Sequence, residues 1–313
     1  MSDKINRKEL KRIEKYANKP LREFKASTAV KTMIFYPGTS FWSLHFTMTT
    51  VRKFFLLQWS KKLKITHYPV LSVDSPLDEK IPFTPSKIGI YMDFSAYFCR
   101  GIGMLYKRIG MVRSTKISNL FFKFLTHEYQ EAYKIYTFSM TTTNRPAYEG
   151  MKQFKTIHKT DPHYLCVPSL HVTIAAGTWA FYRKHMKEVL PAEEAERRVK
   201  ELREQAVAII ESVLFVKQHS VNCVPSALYM LSSTTEKGFF TSDDAIEMLN
   251  DVFKTAPELS EDAKKEINEY FNYIYGRNYI QNIYEDDWTQ SIKDWMRQHA
   301  KETGQEALLE GRK

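Results

Sequence analysis

The chain is short of the residues that build tight turns and covalent frameworks. Its 11 glycines in 313 residues are too few for the many turns of an all-β fold, and neither a phosphate-loop pattern nor a dinucleotide fingerprint is found. The cysteines, Cys99, Cys166 and Cys223, are too few for a disulfide framework and lack metal-finger spacing. His127-Glu128-x-x-Glu131 lacks the second histidine of a zinc-protease helix. No stretch has the roughly 18 consecutive apolar residues of a spanning helix, and the best candidate, 206–216, carries Glu211. The first residues, Met-Ser-Asp-Lys-Ile-Asn-Arg, are polar and do not read as a secretory leader, so a reducing, cytoplasmic setting is the default expectation. Acidic residues are scarce in one region. Residues 1–70 hold 15 Lys/Arg against 4 Asp/Glu, a balance of +11 in a chain whose net charge is +10.

With 43% hydrophobic and 14% aromatic residues, the chain can bury a sizeable core. Residues 7–19 are expected to form an exposed amphipathic helix with Leu10, Ile13 and Tyr16 on one side. Pro37-Gly38 is expected to mark a turn inside an aromatic- and Thr-rich stretch, 33–59. The long apolar pattern over about 86–140 reads as helix, and 144–170 as a long connection. Helices are expected from Ser169 to about Val189, over 192–215, and in an acidic tail at about 242–254, 261–275 and 286–302. Thr241-x-x-Asp244 forms a capping-box pattern ahead of the first tail helix. The division expected is a basic arm (1–30), a helical core (31–235) and a helical extension (236–313), in an all-α fold.

Two histidines stand out by their neighbours. His171 closes Pro168-Ser169-Leu170-His171, and His219 closes Lys217-Gln218-His219, 48 residues later. The other histidines read as ordinary surface or core residues. Arg145-Pro146 precedes both. Together these supply cations for phosphate oxygens, a small hydroxyl, an acid and a nucleophile, which are the parts needed to break a phosphate ester without a metal. Arg145 can grip oxygens bidentately and Lys217 as a point charge. Ser169 and the backbone N–H groups of the following helix can add neutral donors.

On these residues the chain resembles the type 2 phosphatidic acid phosphatase and haloperoxidase superfamily, in the bacterial branch similar to inositol phosphorylceramide synthases. Arg145-Pro146 matches the end of that family's first motif. Cys166-Val167-Pro168-Ser169-Leu170-His171-Val172 matches the second, and Ser212 through His219 matches part of the third. The resemblance covers roughly residues 85–235. It implies a helical bundle of that type, His219 as nucleophile, His171 as acid, and Arg145, Ser169 and Lys217 as phosphate ligands. The chain departs from the pattern in three places. Phe138 stands where the family has a lysine, with Lys134 one turn earlier. Val213 stands at an arginine position, with Lys217 as the expected substitute. Cys223 replaces the aspartate that orients the nucleophile, leaving Asn222 as the residue expected to hold the imidazole Nδ1.

The function implied is metal-independent hydrolysis of a phosphomonoester, such as phosphatidic acid, through a phosphohistidine, with no cofactor or metal. The alternatives are a headgroup phosphotransferase and a degenerate phospholipid-binding protein. The basic amino-terminal third suggests an anionic membrane surface as partner. Nucleic acid is not expected. Placement is expected to be peripheral, at the cytoplasmic face, with an integral membrane protein as the alternative.

Overall fold

The computed structural model describes residues 11 and 14–311. These are overwhelmingly helical, in line with the all-α expectation. The amino-terminal helices are α1 (Ala26–Phe35), α2 (Pro37–Thr50) and α3 (Leu56–Lys62), with a π-helical turn, Val51–Phe55, joining the last two. Then come α4 (Ile88–Met92), α5 (Phe94–Ile109), α6 (Met111–Phe138) and α7 (Lys152–Thr160). The remaining helices are α8 (Leu170–Met186), α9 (Ala192–Phe215), α10 (Cys223–Thr234), α11 (Ser242–Asp251), α12 (Glu261–Asn282) and α13 (Thr289–Glu302).

The architecture is built around α8. Its sequence, Leu170-His-Val-Thr-Ile-Ala-Ala-Gly-Thr-Trp-Ala-Phe-Tyr, has no polar face, as expected of a helix surrounded by others, and it is buried from Val172 to Tyr182. It packs against α5, α6, α9 and α10. Small residues allow the close approach: a Cβ on Gly177 would collide with the Phe124 ring of α6, and one on Gly101 of α5 with the Tyr182 ring. The acidic tail helices pack onto this body, α12 on α10 and α13 on α6. The expected capping box is present, with Thr241 Oγ1 accepting from the Asp244 N–H and the Asp244 carboxylate accepting from the Thr241 N–H.

Some expectations are corrected. Pro37 makes no loop. It is the first residue of α2, where a missing N–H costs nothing. The connection over 144–170 contains α7, whose Phe154 and Ile157 are buried. Two short strands, β1 (Val70–Ser72) and β2 (Met140–Thr142), pair in parallel, Leu71 opposite Thr141. Three residues per strand carry too little pattern to be read from sequence. They matter for position, because Thr141 Oγ1 accepts from the N–H groups of both Cys166 and Val167. That fixes the chain entering α8.

Of the expected helix over 7–19, residues 11 and 14–17 are helical, and Leu10 and Ile13 lie outside the described residues. The end of this helix is held to α9 by two arginines, Arg197 donating to the Ala17 carbonyl and Arg198 making the larger set of bonds. Arg198 is fully buried and donates to the carbonyls of Tyr16, Ala17 and Lys19, with Glu194 and Glu201 alongside. Removing one member of a buried charged network leaves its partners unpaired, typically at about 3–5 kcal/mol. Arg198→Met is therefore expected to lower unfolding free energy by about 3 kcal/mol in urea titration. A loss within experimental error would show that the clasp contributes nothing.

Candidate functional site

The start of α8 and the turn after α9 meet at a buried point. Ser169 caps α8, its Oγ accepting from the Val172 N–H at 3.4 Å. The same Oγ lies 3.2 Å from His219 Nε2. With the imidazole proton on Nδ1, the Ser169 hydroxyl donates to Nε2; with it on Nε2, the hydroxyl accepts. His171 sits in the first turn of α8, with its ring centre 5.7 Å from that of His219. Its ring packs on Tyr91 at 4.8 Å and Phe94 at 4.6 Å, from α4 and the start of α5. Both expected histidines and Ser169 are thus brought together.

His219 is placed by an unusual helix end. Gln218 N–H bonds to the Val213 carbonyl and Lys217 N–H to the Leu214 carbonyl, a left-handed stop that normally uses glycine. Here Lys217 takes the left-handed conformation, at φ 54°. The turn is clamped from outside by Asp78, whose carboxylate accepts from the Val221 and Ser75 N–H groups. Burial pushes the Asp78 carboxyl upward, opposed by these bonds and by Lys217.

The turn that follows Phe215 carries Lys217, Asn222 and Cys223 away from the positions that the motif spacing implies. Lys217 does not face the histidines. Its Nζ donates to the carbonyls of Asp78 and Ile81, on the wall of a separate cleft with Asp74 and Glu79. Asn222 does not hold His219. Its Nδ2 donates to the Val73 carbonyl and its Oδ1 accepts from Tyr270. Cys223 begins α10 as a buried thiol, pushed well upward by burial, and makes no hydrogen bond to the imidazole. His219 Nδ1 is left buried without a hydrogen-bond partner. Lys134 is also elsewhere, half exposed and paired with Glu131, while Phe138 and Val213 are core residues.

Arg145 reaches the site at one remove. Its Nη1 donates to Gln218 Oε1 at 2.9 Å and its Nη2 to the Asp161 carbonyl at 3.0 Å, with the Asp161 carboxylate 3.7 Å away. Gln218, Asp161, His171 and His219 line one cavity of about 20 Å³, enough for a single water. Sequence reasoning missed several of its walls. His163, which reads as an ordinary histidine in the sequence, is buried and bonds Thr143 Oγ1 through Nε2 at 2.7 Å. Asp161 holds the His163 N–H. Gln58 arrives from α3, its Oε1 accepting from Tyr164 N–H and its side chain lowering the basicity of the Asp161 carboxylate beside it. Asp161-Pro162-His163 is visible as a polar turn just ahead of the Ser169 motif; Gln58 has no sequence signal. Among the described residues, no group of three or more His, Cys, Asp or Glu side chains could hold a metal ion.

The histidines are electrically quiet. Burial lowers His171 from 6.5 to about 4. Burial, then the neighbouring His171, holds His219 well below its ordinary value. Burial, then Arg145, does the same for His163. All are neutral at pH 7. No family model matches this chain, and neither curated proteins nor solved structures contain a match to it.

A histidine kept neutral by folding takes up a proton more readily when unfolded. Stability from His171 is therefore intact above the unfolded value of 6.5 and is lost as pH falls towards about 4. His171→Gln is expected to flatten the dependence of unfolding free energy on pH over this window, by up to about 3 kcal/mol. Parallel wild-type and variant curves would contradict a buried neutral His171.

Proposed function

We propose that this chain is a metal-independent phosphatase that hydrolyses a phosphomonoester, a lipid phosphate such as phosphatidic acid, through a phosphohistidine. The observation that carries the reading is the meeting of His171, His219 and Ser169 at the positive end of α8, with the Arg145 guanidinium next to the cavity. His219 Nε2 attacks phosphorus, and the N–P bond forms as the ester O–P bond breaks. The departing alkoxide takes a proton from His171. Water then attacks phosphorus, the N–P bond breaks, and the proton of that water returns to His171.

The electrostatics suit the nucleophile and set a condition on the acid. A neutral His219 has its lone pair available. A neutral His171 carries a proton on only one of its ring nitrogens, so it must gain a second when the phosphate dianion arrives and raises its pKa. Arg145 must also exchange its present partners, the Gln218 amide, the Asp161 carbonyl and the Asp161 carboxylate, for phosphate oxygens. Since the cavity holds about one water, swinging Gln218 outward both opens space and frees Nη1. Charge stabilisation by Arg145 then acts where it develops in the transition state.

A second reading has its own support. No carboxylate or amide side chain bonds the buried His219 Nδ1, and Lys217 is spent on backbone carbonyls. Both favour a protein that binds a phosphorylated ligand without turnover.

The test is phosphate release from phosphatidic acid and from soluble phosphomonoesters in EDTA. His219→Ala is expected to reduce release by roughly a thousandfold or more, and orthovanadate to inhibit. Lys217→Gln is expected to stay within about threefold of wild type, a surface-cleft effect on stability rather than on chemistry. Vanadate binding by wild type is expected to take up about one proton at pH 7, read by calorimetry in buffers of different ionisation enthalpy. Binding without release would select the second reading; release that survives His219→Ala would remove the phosphohistidine.

A further inference from the structure

The amino-terminal helices carry their apolar side chains outward. Along α2, Phe41, Leu44 and Met48 recur at the spacing of a single helix face, and Phe55 and Leu56 follow where the π-helical turn meets α3. All are exposed, Phe41 to 68% and Leu44 to 61%. The inward face of α2 holds Thr39, Ser43 and Thr49 beside Phe46. Two of these hydroxyls are satisfied on α1, Thr39 donating to the Thr32 carbonyl and Ser43 to the Met33 carbonyl. Helix α1 has the same sense: Thr32 is buried, while Phe35 is 79% exposed. The ordinary arrangement, apolar inside and polar outside, is reversed over about two helices.

Charge says what covers this face. From residue 24 to residue 73 the sequence contains no Asp or Glu. Lys31, Arg52, Lys62 and Lys64 are exposed on the same segment. An exposed apolar face of this kind marks an interaction surface, and a segment whose only charged side chains are cations favours an anionic partner. Apolar side chains that enter an acyl boundary, with cations at the level of phosphates, match a headgroup layer. No helix among the described residues is long and apolar enough to cross a membrane.

We propose that α1 to α3 form a docking face that lies in the surface of an anionic phospholipid bilayer. The same segment supplies Phe54 and Gln58 to the wall of the cavity holding His171 and His219, so the docked face and the candidate site are physically joined. Bilayer docking stands without the chemistry proposed above; only delivery of a lipid from the bilayer to the histidines rests on that reading.

Flotation of the full chain with phosphatidylcholine vesicles, with and without phosphatidylglycerol, tests it. Phosphatidylglycerol is a phosphodiester, so binding to it does not depend on phosphomonoester turnover. Wild type is expected to float with the anionic vesicles and remain behind with the neutral ones. Phe41→Ser/Leu44→Ser/Phe55→Ser is expected to weaken binding at least about tenfold. Lys62→Gln/Lys64→Gln is expected to weaken it by about fivefold per cation. These side chains are exposed, so both variants are expected to keep the wild-type melting temperature and any hydrolysis of a soluble phosphomonoester. No flotation of wild type, equal flotation with neutral vesicles, or undiminished flotation of the apolar variant would overturn the proposal. So would a wild-type dimer that the apolar variant dissociates, because the face would then be covered by a second copy of the chain.

Discussion

The contact between Ser169 Oγ and His219 Nε2 is the point on which the rest of the site depends. It joins the first turn of a helix buried on every side to a turn that belongs to a different helix. Neither end can drift far. The α8 end is fixed by Thr141 Oγ1, which takes the N–H groups of Cys166 and Val167, and by Tyr136, whose hydroxyl donates to the Pro168 carbonyl. The other end is fixed by the left-handed stop at Lys217 and by the Asp78 carboxylate on Val221. Short strands, a cap and a buried acid therefore do one job, which is to hold two imidazoles at a set separation.

That separation is maintained in a place that disfavours charge. His171, His163 and His219 are all held below their ordinary basicity by burial, and Arg145 lies beside them with its fork engaged by an amide and a carbonyl. The site holds one cation, Arg145, with the Asp161 carboxylate beside it and imidazoles kept neutral by burial. Under the proposed hydrolysis an arriving dianion would compete with Asp161 for the guanidinium and raise the basicity of His171. Desolvation that is costly in the free protein thereby favours the bound one.

Much of this is legible in the sequence where a signal is local. Caps and periodicity mark the helix after Ser169, the helix ending near Phe215 and the capping box at Thr241, and neighbouring residues single out His171, Ser169 and His219. Arg145 does come to the neighbourhood, though behind Gln218. The failures share one cause. The end of the helix near Phe215 is legible, but the direction of the chain after it is not: the left-handed turn at Lys217 points Lys217, Asn222 and Cys223 away from the imidazole, and a lysine in that conformation gives no signal of the kind a glycine would. Asp78, Gln58 and His163 act through contacts made far along the chain, with no periodic or motif signal. The outward apolar face of α1 and α2 escapes notice for the opposite reason: its spacing looks like that of a core helix, and only the tertiary structure shows which side is turned in.

The most direct measurement is to trap the intermediate. The full chain would be quenched within the first turnovers on a radiolabelled phosphomonoester, digested, and its peptides assayed for phosphate that is labile in acid and stable in base. The account predicts such a label on the peptide containing His219, and none in His219→Ala. Turnover without a labelled histidine, or a label on His171 or His163, would contradict it.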